Sequence, residues 1–262
     1  MNMLLWNCRG VSGKDTVSRI KNMLKNHQIM ICCLVETRAD APRILRFVKH
    51  LDNGWHWATI PALGFSGGII TFWRKNNFVV TPISRSRYIL HMVITGSTQQ
   101  PWLISTVYNA QRLEDQKVAW AELQGLSDKV GPWIIAGDFN AISGPQDRQG
   151  GDFHPCMKSV HFNAFIYNNH LTELNYSGSM FIWCNNQSGL ARRWARLDRL
   201  LVNHQWLETV PNYAVKHLPR SQSDHNPVLL QCSFERNRGT RPFRFNNSWI
   251  QSDLCLHSVT SI

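Results

Sequence analysis

Four apolar segments in the middle of the chain follow one another with only turn-forming residues between them. They read "GGIITFWR", "NFVVTPI", "RYILHMVIT" and "WLISTVYN" and together cover residues 67–109. The gaps are too short to hold crossover helices, so parallel pairing of neighbouring segments is disfavoured. This pattern predicts antiparallel strand pairing for the middle of the chain.

Strand and helix signals alternate on both sides of this region. The apolar runs "MLLWN" and "IMICCLVET" are typical of buried strands, and each precedes a segment with helical periodicity. Helices are predicted at 15–26, 41–51, 113–129 and 157–169, and later strands near 181–184, 197–202, 213–218 and 227–233. The second helix is expected to bury Ile44, Leu45, Val48 and Leu51. The whole pattern predicts an α/β (α+β) fold in which two mixed sheets pack face to face with helices outside.

Several apolar strands end in a polar side chain. "LLWN" ends at Asn7, "CCLVE" at Glu36, "STVYN" reaches Tyr108 and "IIAGD" ends at Asp138. If those ends meet at one rim of the sheets, carboxylates, an amide and a phenol converge on one pocket built on rigid elements. Taken singly, each residue also fits a structural role, as a turn former, a surface ion pair or a core aromatic.

The segment "GDFNA" has an internal spacing of its own. Strand alternation places Asp138 and Asn140 on one side and turns Phe139 towards the core. Gly137 is expected to leave room for a ligand next to Asp138.

A second polar cluster lies in "SQSDHNPVLL", residues 221–230. Pro227 marks a strand start, so Asp224 and His225 should lie at the mouth of that strand, with Ser223 just before them. Asp198 leads another apolar run, "RLDRLLV". A carboxylate beside a histidine fixes its tautomer and stabilises its charged form, which suits a base or a phosphate partner. The alternative is a capped turn and a histidine with a structural role.

Composition limits the remaining choices. The 28 Lys and Arg residues against 17 Asp and Glu give a net charge of +11, which favours a polyanionic partner or serves as a solubilising surface. Seven cysteines, with no pair at zinc-site spacing, are expected to be reduced thiols inside a cell, mostly in the core. No apolar run approaches the length of a bilayer span and no targeting signal is found, so a soluble protein without membrane contact is expected.

Six motifs resemble one known family. "WNCRG", "VET", "VYN", "GDFNA", "LDRLLV" and "SDHNP" occur in the order and spacing of the endonuclease/exonuclease/phosphatase superfamily. The resemblance covers residues 1–233, and it is closest to the endonuclease domain of plant LINE-type (non-LTR) retrotransposons. Residues 234–262, with "RPFRFNNSW", resemble the basic linker that precedes a reverse transcriptase in such elements. The resemblance implies a four-layer αββα sandwich of the DNase I type.

The resemblance also implies a metal-dependent hydrolysis of phosphodiesters. Glu36 would bind Mg2+, with Mn2+ as a substitute, while Asn7 orients the metal site and Asp224 supports it. Asp138 would position or deprotonate the attacking water, and Asn140 would donate hydrogen bonds to the developing oxyanion.

The remaining roles concern the phosphate. Tyr108 would contact it through its hydroxyl, and Ser223 would bind it or its neighbours. His225, oriented by Asp198, would be either the competing base or a charged phosphate clamp.

Two departures from the family pattern qualify these expectations. Arg9 stands where apurinic endonucleases commonly have a second acid, which favours one metal ion and argues against abasic-site repair. Ile182 stands where many relatives have a threonine, so a hydroxyl expected to meet the substrate is absent. Trp183 is expected to pack in the core.

Substrate contacts are predicted in "ARRWARLDR". Arg192, Arg193 and Arg196 could contact phosphates and Trp194 could wedge into a groove, although a solvated loop is the simpler alternative. The favoured function is a DNA endonuclease that nicks one strand, acting as a monomer, and the resemblance alone suggests a nuclear location. The alternatives are a phosphoesterase of lipid or inositol phosphates and an inactive nucleic-acid-binding relic.

Overall fold

The computed structural model describes residues 1–64, 66–75, 77–96, 100–151 and 157–233. The predicted linker at 234–262 lies outside the described residues, as do Cys156 and Cys255. Within the described part the other five cysteines are free and buried, as the sequence predicted. No helix in that part is both long enough and apolar enough to cross a bilayer.

The strands are β1 Asn2–Asn7, β2 Ile31–Val35, β3 Trp55–Ile60, β4 Ile69–Arg74, β5 Val79–Arg85, β6 Ile89–Thr95, β7 Trp102–Tyr108, β8 Trp133–Asp138, β9 Arg148–Gln149, β10 Thr172–Glu173, β11 Tyr176–Gly178, β12 Trp183–Cys184, β13 Trp194–Ala195, β14 Asp198–Val202, β15 Asn212–His217 and β16 Val228–Ser233. The α-helices are α1 Lys14–Asn26, α2 Ala41–Val48, α3 Leu113–Ser127, α4 Met157–Asn168 and α5 His204–Thr209.

Two large mixed sheets form the centre of the fold. One has seven strands in the order β11-β15-β16-β1-β2-β4-β3, and the other has six in the order β10-β14-β8-β7-β6-β5. β3 pairs antiparallel with β4, and β6 pairs antiparallel with both β5 and β7, while β4 and β5 lie in different sheets. β1 with β2 and β7 with β8 pair parallel. The parallel pairs occur where a helix separates the strands, as geometry requires.

Three apolar clusters define the four layers. The largest lies between the sheets and combines Leu5 and Ile69 of the first sheet with Ile104 and Ile134 of the second. A second cluster packs α1 and α2 on the outer face of the first sheet, and a third packs α3 and α4 on the other. The fold is therefore the helix–sheet–sheet–helix sandwich expected from the sequence.

Details of the sequence prediction differ from the structure. The segment predicted as a strand at 181–184 pairs only through Trp183–Cys184, in a separate small sheet ordered β12-β13-β9. On α2, Leu45 is exposed and Phe47 is buried in its place, because the helix turns the i, i+3 face of Ile44 and Phe47 to the sheet.

Candidate active site

The strand ends meet because the parallel pairs of both sheets point to the same rim. Asn7 is opposite Val35, so Glu36 follows directly beside it, and Tyr108 is opposite Asp138 in the other sheet. The Asn7 side-chain amide donates one hydrogen bond to Glu36 Oε2 at 2.9 Å and another to Asp138 Oδ2 at 2.8 Å. One buried amide thus joins the two sheets through their carboxylates.

Gly137 has a packing role that differs from the one predicted. A Cβ at this position would lie 2.0 Å from the backbone oxygen of Val107 on the neighbouring strand. The missing side chain therefore allows β7 and β8 to approach, and it does not make room for a ligand. Phe139 is fully buried, as strand alternation predicted.

The loop before β16 brings the histidine to this rim. Ser223 Oγ donates to the backbone oxygen of Asn7 at 2.7 Å and accepts from the His225 backbone amide at 3.1 Å. The indole of Trp6 also donates to the His225 carbonyl, at 3.1 Å. Ser223 is buried and its only proton is used, so its hydroxyl fixes the loop and faces away from solvent.

His225 lies between carboxylates on both sides. Its Nδ1 is 2.6 Å from Asp198 Oδ2, and its Nε2 is 4.0 Å from both Asp138 Oδ2 and Asp224 Oδ1. Burial lowers the pKa of His225, but the charge and hydrogen bond of Asp198, helped by Asp138 and Asp224, raise it to about 9. The imidazole is therefore protonated at neutral pH.

Asp138 is a buried acid whose proton affinity is also perturbed. Burial raises the pKa of Asp138 to about 7, and repulsion from Asp198 acts in the same direction. The positive His225 and the hydrogen bonds from Asn140 and Asn7 oppose this rise. The carboxyl group consequently changes charge near neutral pH, where a general base works best.

Glu36 is 5% exposed and is surrounded by cationic groups. Arg38 donates to Glu36 Oε1 through both Nε and Nη2, and Arg9 Nη1 lies 3.4 Å from Oε2. Arg9 Nε also lies 3.2 Å from Asp224 Oδ1, while the indole of Trp183 donates to Asp224 Oδ2 at 3.0 Å. Two arginines thus neutralise two acids that the sequence assigned to a metal.

Tyr108 and Asn140 line two neighbouring cavities that share Glu36. Burial, together with the charges of Glu36 and Asp138, raises the pKa of Tyr108, so its phenol stays protonated. The Asn140 side-chain amide donates to the backbone oxygen of Asn109 at 2.8 Å, and its second hydrogen remains for a ligand.

These residues open into a cleft of about 310 Å³. Five residues in its lining were not among the predicted site residues: Arg9, Gln111, Lys158, Trp183 and Leu197. Trp183 was expected in the core, but it is half-buried because its indole N–H binds Asp224 at the cleft wall. Ile182, which stands where a threonine hydroxyl was expected to meet the substrate, is 1% exposed and packs between the sheets. Gln111 and Lys158 carry no local motif that could have indicated them.

The predicted substrate-binding segment divides into two parts. Arg192 and Arg193 are exposed on the β12–β13 hairpin, and the half-buried Trp194 ring lies 5.6 Å from the Arg192 guanidinium and 5.1 Å from that of Arg220. Arg196, in contrast, donates to the buried Asp147 and to Glu173. Its guanidinium is turned inward, because these acids need a partner when buried.

Comparison with known proteins decides the assignment. The family model described as "Endonuclease/Exonuclease/phosphatase family" matches residues 4–225, most of the chain. The chain belongs to this family. A search of curated proteins found no match.

Solved structures of endonuclease/exonuclease/phosphatase type share the fold. The AP endonuclease LMAP from Leishmania major is 15% identical, with a TM-score of 0.70 over 87% of this chain and 86% of that one. The 3' phosphatase NExo from Neisseria, bound to a product DNA hairpin, is 16% identical, with a TM-score of 0.67 over 89% and 99%. The endonuclease domain of TRAS1, a telomere-specific non-LTR retrotransposon, is 16% identical, with a TM-score of 0.64 over 90% and 99%.

The family implies a divalent metal, and the donor chemistry at the rim fits one. Glu36 and Asp224 offer carboxylate oxygens, the ligands that Mg2+ prefers. The oxygen of Asn7 already accepts from the Arg9 backbone amide at 3.2 Å, so Asn7 is suited to orienting the acids. Ligand atoms of Asp138, Asp198 and His225 form a second group, within 4.8 Å of one another. The described residues therefore contain enough hard oxygen donors at the rim for a divalent ion.

Proposed function

We propose that this chain is a metal-dependent DNA endonuclease that hydrolyses one phosphodiester bond and leaves a nick. The observation that carries the proposal is the buried Asp138–His225–Asp198 arrangement beside Glu36, at the floor of a cleft that opens to solvent. These side chains come from both sheets. Neighbouring ionisable groups with strongly shifted pKa values in a cleft are typical of hydrolytic centres.

The lower pKa of Asp138 and the higher pKa of His225 support separate roles for these two residues. Asp138, with its pKa near 7, would accept a proton from the attacking water at neutral pH. His225, with its pKa near 9, would remain charged and bind the non-bridging oxygens as negative charge grows on them. Asp198 would hold the imidazole in place through the Nδ1 hydrogen bond. The sequence left both assignments open.

Further groups would bind the same phosphate. Among the described residues the Asn140 side-chain amide donates to Asn109 only, and the residue lines the cleft; the protonated Tyr108 hydroxyl can also donate. Asn7 would keep Glu36 and Asp138 at a fixed separation through its two donated bonds.

Glu36 and Asp224 would hold the divalent ion, Mg2+, with Mn2+ as its substitute. The ion supplies charge neutralisation at the phosphate when bound. The protonated His225 has no lone pair to offer at neutral pH, which argues against the second donor group as the metal site.

DNA is favoured as the substrate because of the surface beside the cleft. A cavity of about 670 Å³ shares Arg9, Glu36 and Gln111 with the cleft. Five arginines line this cavity: Arg9, Arg38, Arg85, Arg87 and Arg112. Successive phosphates of a nucleic acid strand would satisfy such a row, and the Arg192–Arg193–Trp194 hairpin would bind the other side of the cleft. The likeness to the TRAS1 domain further supports a retrotransposon-derived enzyme whose nick leaves a 3' hydroxyl.

Incubation of the purified chain with supercoiled plasmid and Mg2+ tests this function. Wild type should convert supercoiled to open-circular DNA, while Asp138→Asn should bind the plasmid without nicking it. Arg46→Gln, a charge change on α2 away from the cleft, is the matched control and should nick like wild type. Phosphate release from an inositol lipid in place of nicking would identify the phosphoesterase alternative, and DNA binding without nicking by wild type would identify the inactive relic.

A further inference from the structure

We propose that Arg9 is the resident counter-cation of the Glu36–Asp224 carboxylate pair, so that a divalent ion enters the free protein in competition with its guanidinium group. The proposal rests on the metal-binding part of the proposed function and adds a property of this chain's own residues. It concerns affinity for the ion, which can be measured without any DNA cleavage.

Arg9 is the residue that contacts both acids. Its Nη1 lies 3.4 Å from Glu36 Oε2 and its Nε lies 3.2 Å from Asp224 Oδ1, whereas Arg38 forms an ion pair with Glu36 alone among the described acids. The backbone at Arg9 has a φ of 51° and its amide donates to Asn7 Oδ1. This left-handed turn, which costs free energy for a residue with a side chain, aims the guanidinium at the acids.

The burial of the two acids explains why a cation is needed. Their side chains are only 6% and 12% exposed, so an unpaired charge on either would be strongly disfavoured. The side chain of Arg9 is 36% exposed, so its guanidinium can move into solvent without breaking the fold. Asp224 Oδ1 has no regular hydrogen bond among the described residues, and its nearest cation is Arg9 at 3.2 Å, with the imidazole of His225 further away at 4.0 Å.

Two cations that use the same carboxylates must weaken each other's binding. Such coupling is reciprocal, and it typically changes affinity by about 5- to 150-fold. A phosphate group in the cleft would offer Arg9 another partner, because Arg9 lines both the cleft and the arginine-lined cavity. The ion should therefore bind the DNA complex more tightly than the free protein.

Binding of Mn2+ to the free protein, followed by electron paramagnetic resonance of the unbound ion, tests the proposal. Arg9→Gln should bind Mn2+ roughly tenfold more tightly than wild type, in line with typical coupling. Arg46→Gln lowers the net charge equally and should leave the affinity unchanged. Glu36→Gln in the Arg9→Gln background should abolish the gain, which locates the ion at this site. Equal affinities for Arg9→Gln and wild type would overturn the proposal.

A second measurement uses the wild-type chain and does not depend on a variant folding. The Nε–H resonance of Arg9 in a nitrogen-15 spectrum should shift as MgCl2 is added, because Mg2+ binds the carboxylates that Arg9 contacts in the free protein. Assignment would use Arg9→Lys, which retains the charge. An Arg9 signal that stays unchanged while the ion binds would contradict the competition. Neither result depends on nicking, so an inactive chain could still show the competition and an active nuclease could lack it.

Discussion

Removal of the Asp198 charge should convert His225 from a charged to a neutral group at neutral pH. In the wild type, Asp198 lies 2.6 Å from Nδ1 and is the leading cause that raises the pKa of His225 to about 9, against the opposing effect of burial. In Asp198→Asn burial prevails, so the pKa should fall to the ordinary 6.5 or below. At 1.36 kcal/mol for each pKa unit, the charged imidazole loses about 3 kcal/mol of stabilisation.

The sign of the effect on activity follows from the role of His225. If the charged imidazole binds the phosphate, activity is present below the pKa of His225 and is lost as the pH rises through it. When the single-turnover nicking rate is plotted against pH, its loss at high pH should therefore be centred near pH 9 in the wild type. In Asp198→Asn the same loss should move below about pH 6.5. Near pH 8.5 about three quarters of the wild-type imidazole but only about 1% of the variant's would be charged, so nicking there should fall by roughly 75-fold.

The assay combines plasmid nicking across pH with proton NMR of the His225 ring. His204→Gln, which removes an exposed histidine on α5, is the control and should keep the wild-type profile. Nicking by Asp198→Asn that is still lost only near pH 9 would refute the assignment of His225 as the charged phosphate clamp. An NMR titration of the His225 ring with the wild-type midpoint pH would refute it as well.

Three further substitutions give distinct outcomes. Asp138→Asn should raise the free energy of unfolding in urea by up to about 4 kcal/mol near pH 8, because an acid pKa raised from 3.8 to about 7 destabilises the fold as the pH climbs through that range; near pH 4 the gain should vanish. Asp147→Asn should lower that free energy by about 2 kcal/mol, because it removes one of the two carboxylates, with Glu173, that pair with the buried guanidinium of Arg199. Ile182→Thr should destabilise the fold by about 1 kcal/mol in the same assay without faster nicking, since it places a hydroxyl between the sheets. Faster nicking by this variant would show that Ile182 faces the substrate.

The convergence of strand ends could be predicted from sequence because it depends on local rules. Asn7 and Asp138 are polar residues that end apolar runs. A helix before β2 and another before β8 indicate parallel pairing, so both residues lie at the carboxyl ends of parallel strands. Asp198 follows from the same logic, because its strand is antiparallel to β8 and begins where β8 ends. The fold and the location of the rim therefore needed no long-range information beyond the strand order.

The partners of the charged side chains could not be predicted in this way. Arg192 and Arg196 belong to one short motif, yet Arg192 is exposed and Arg196 is bound to Asp147, which lies far away in the sequence. Which arginine remains available depends on where the nearest buried acid lies. The same limit hid the role of Ser223, whose hydroxyl reaches the backbone of Asn7 at the other end of the chain.

The most direct test of the hydrolytic centre is a single-turnover reaction on a DNA duplex in oxygen-18-labelled water. The wild-type chain with Mg2+ should place one labelled oxygen on the phosphate at the new end and leave a free 3' hydroxyl. Asp138→Asn should bind the duplex with unchanged affinity and produce neither product. Cleavage without label in the phosphate, or wild-type rates in Asp138→Asn, would contradict the proposal that this carboxylate activates water at the meeting point of the two sheets.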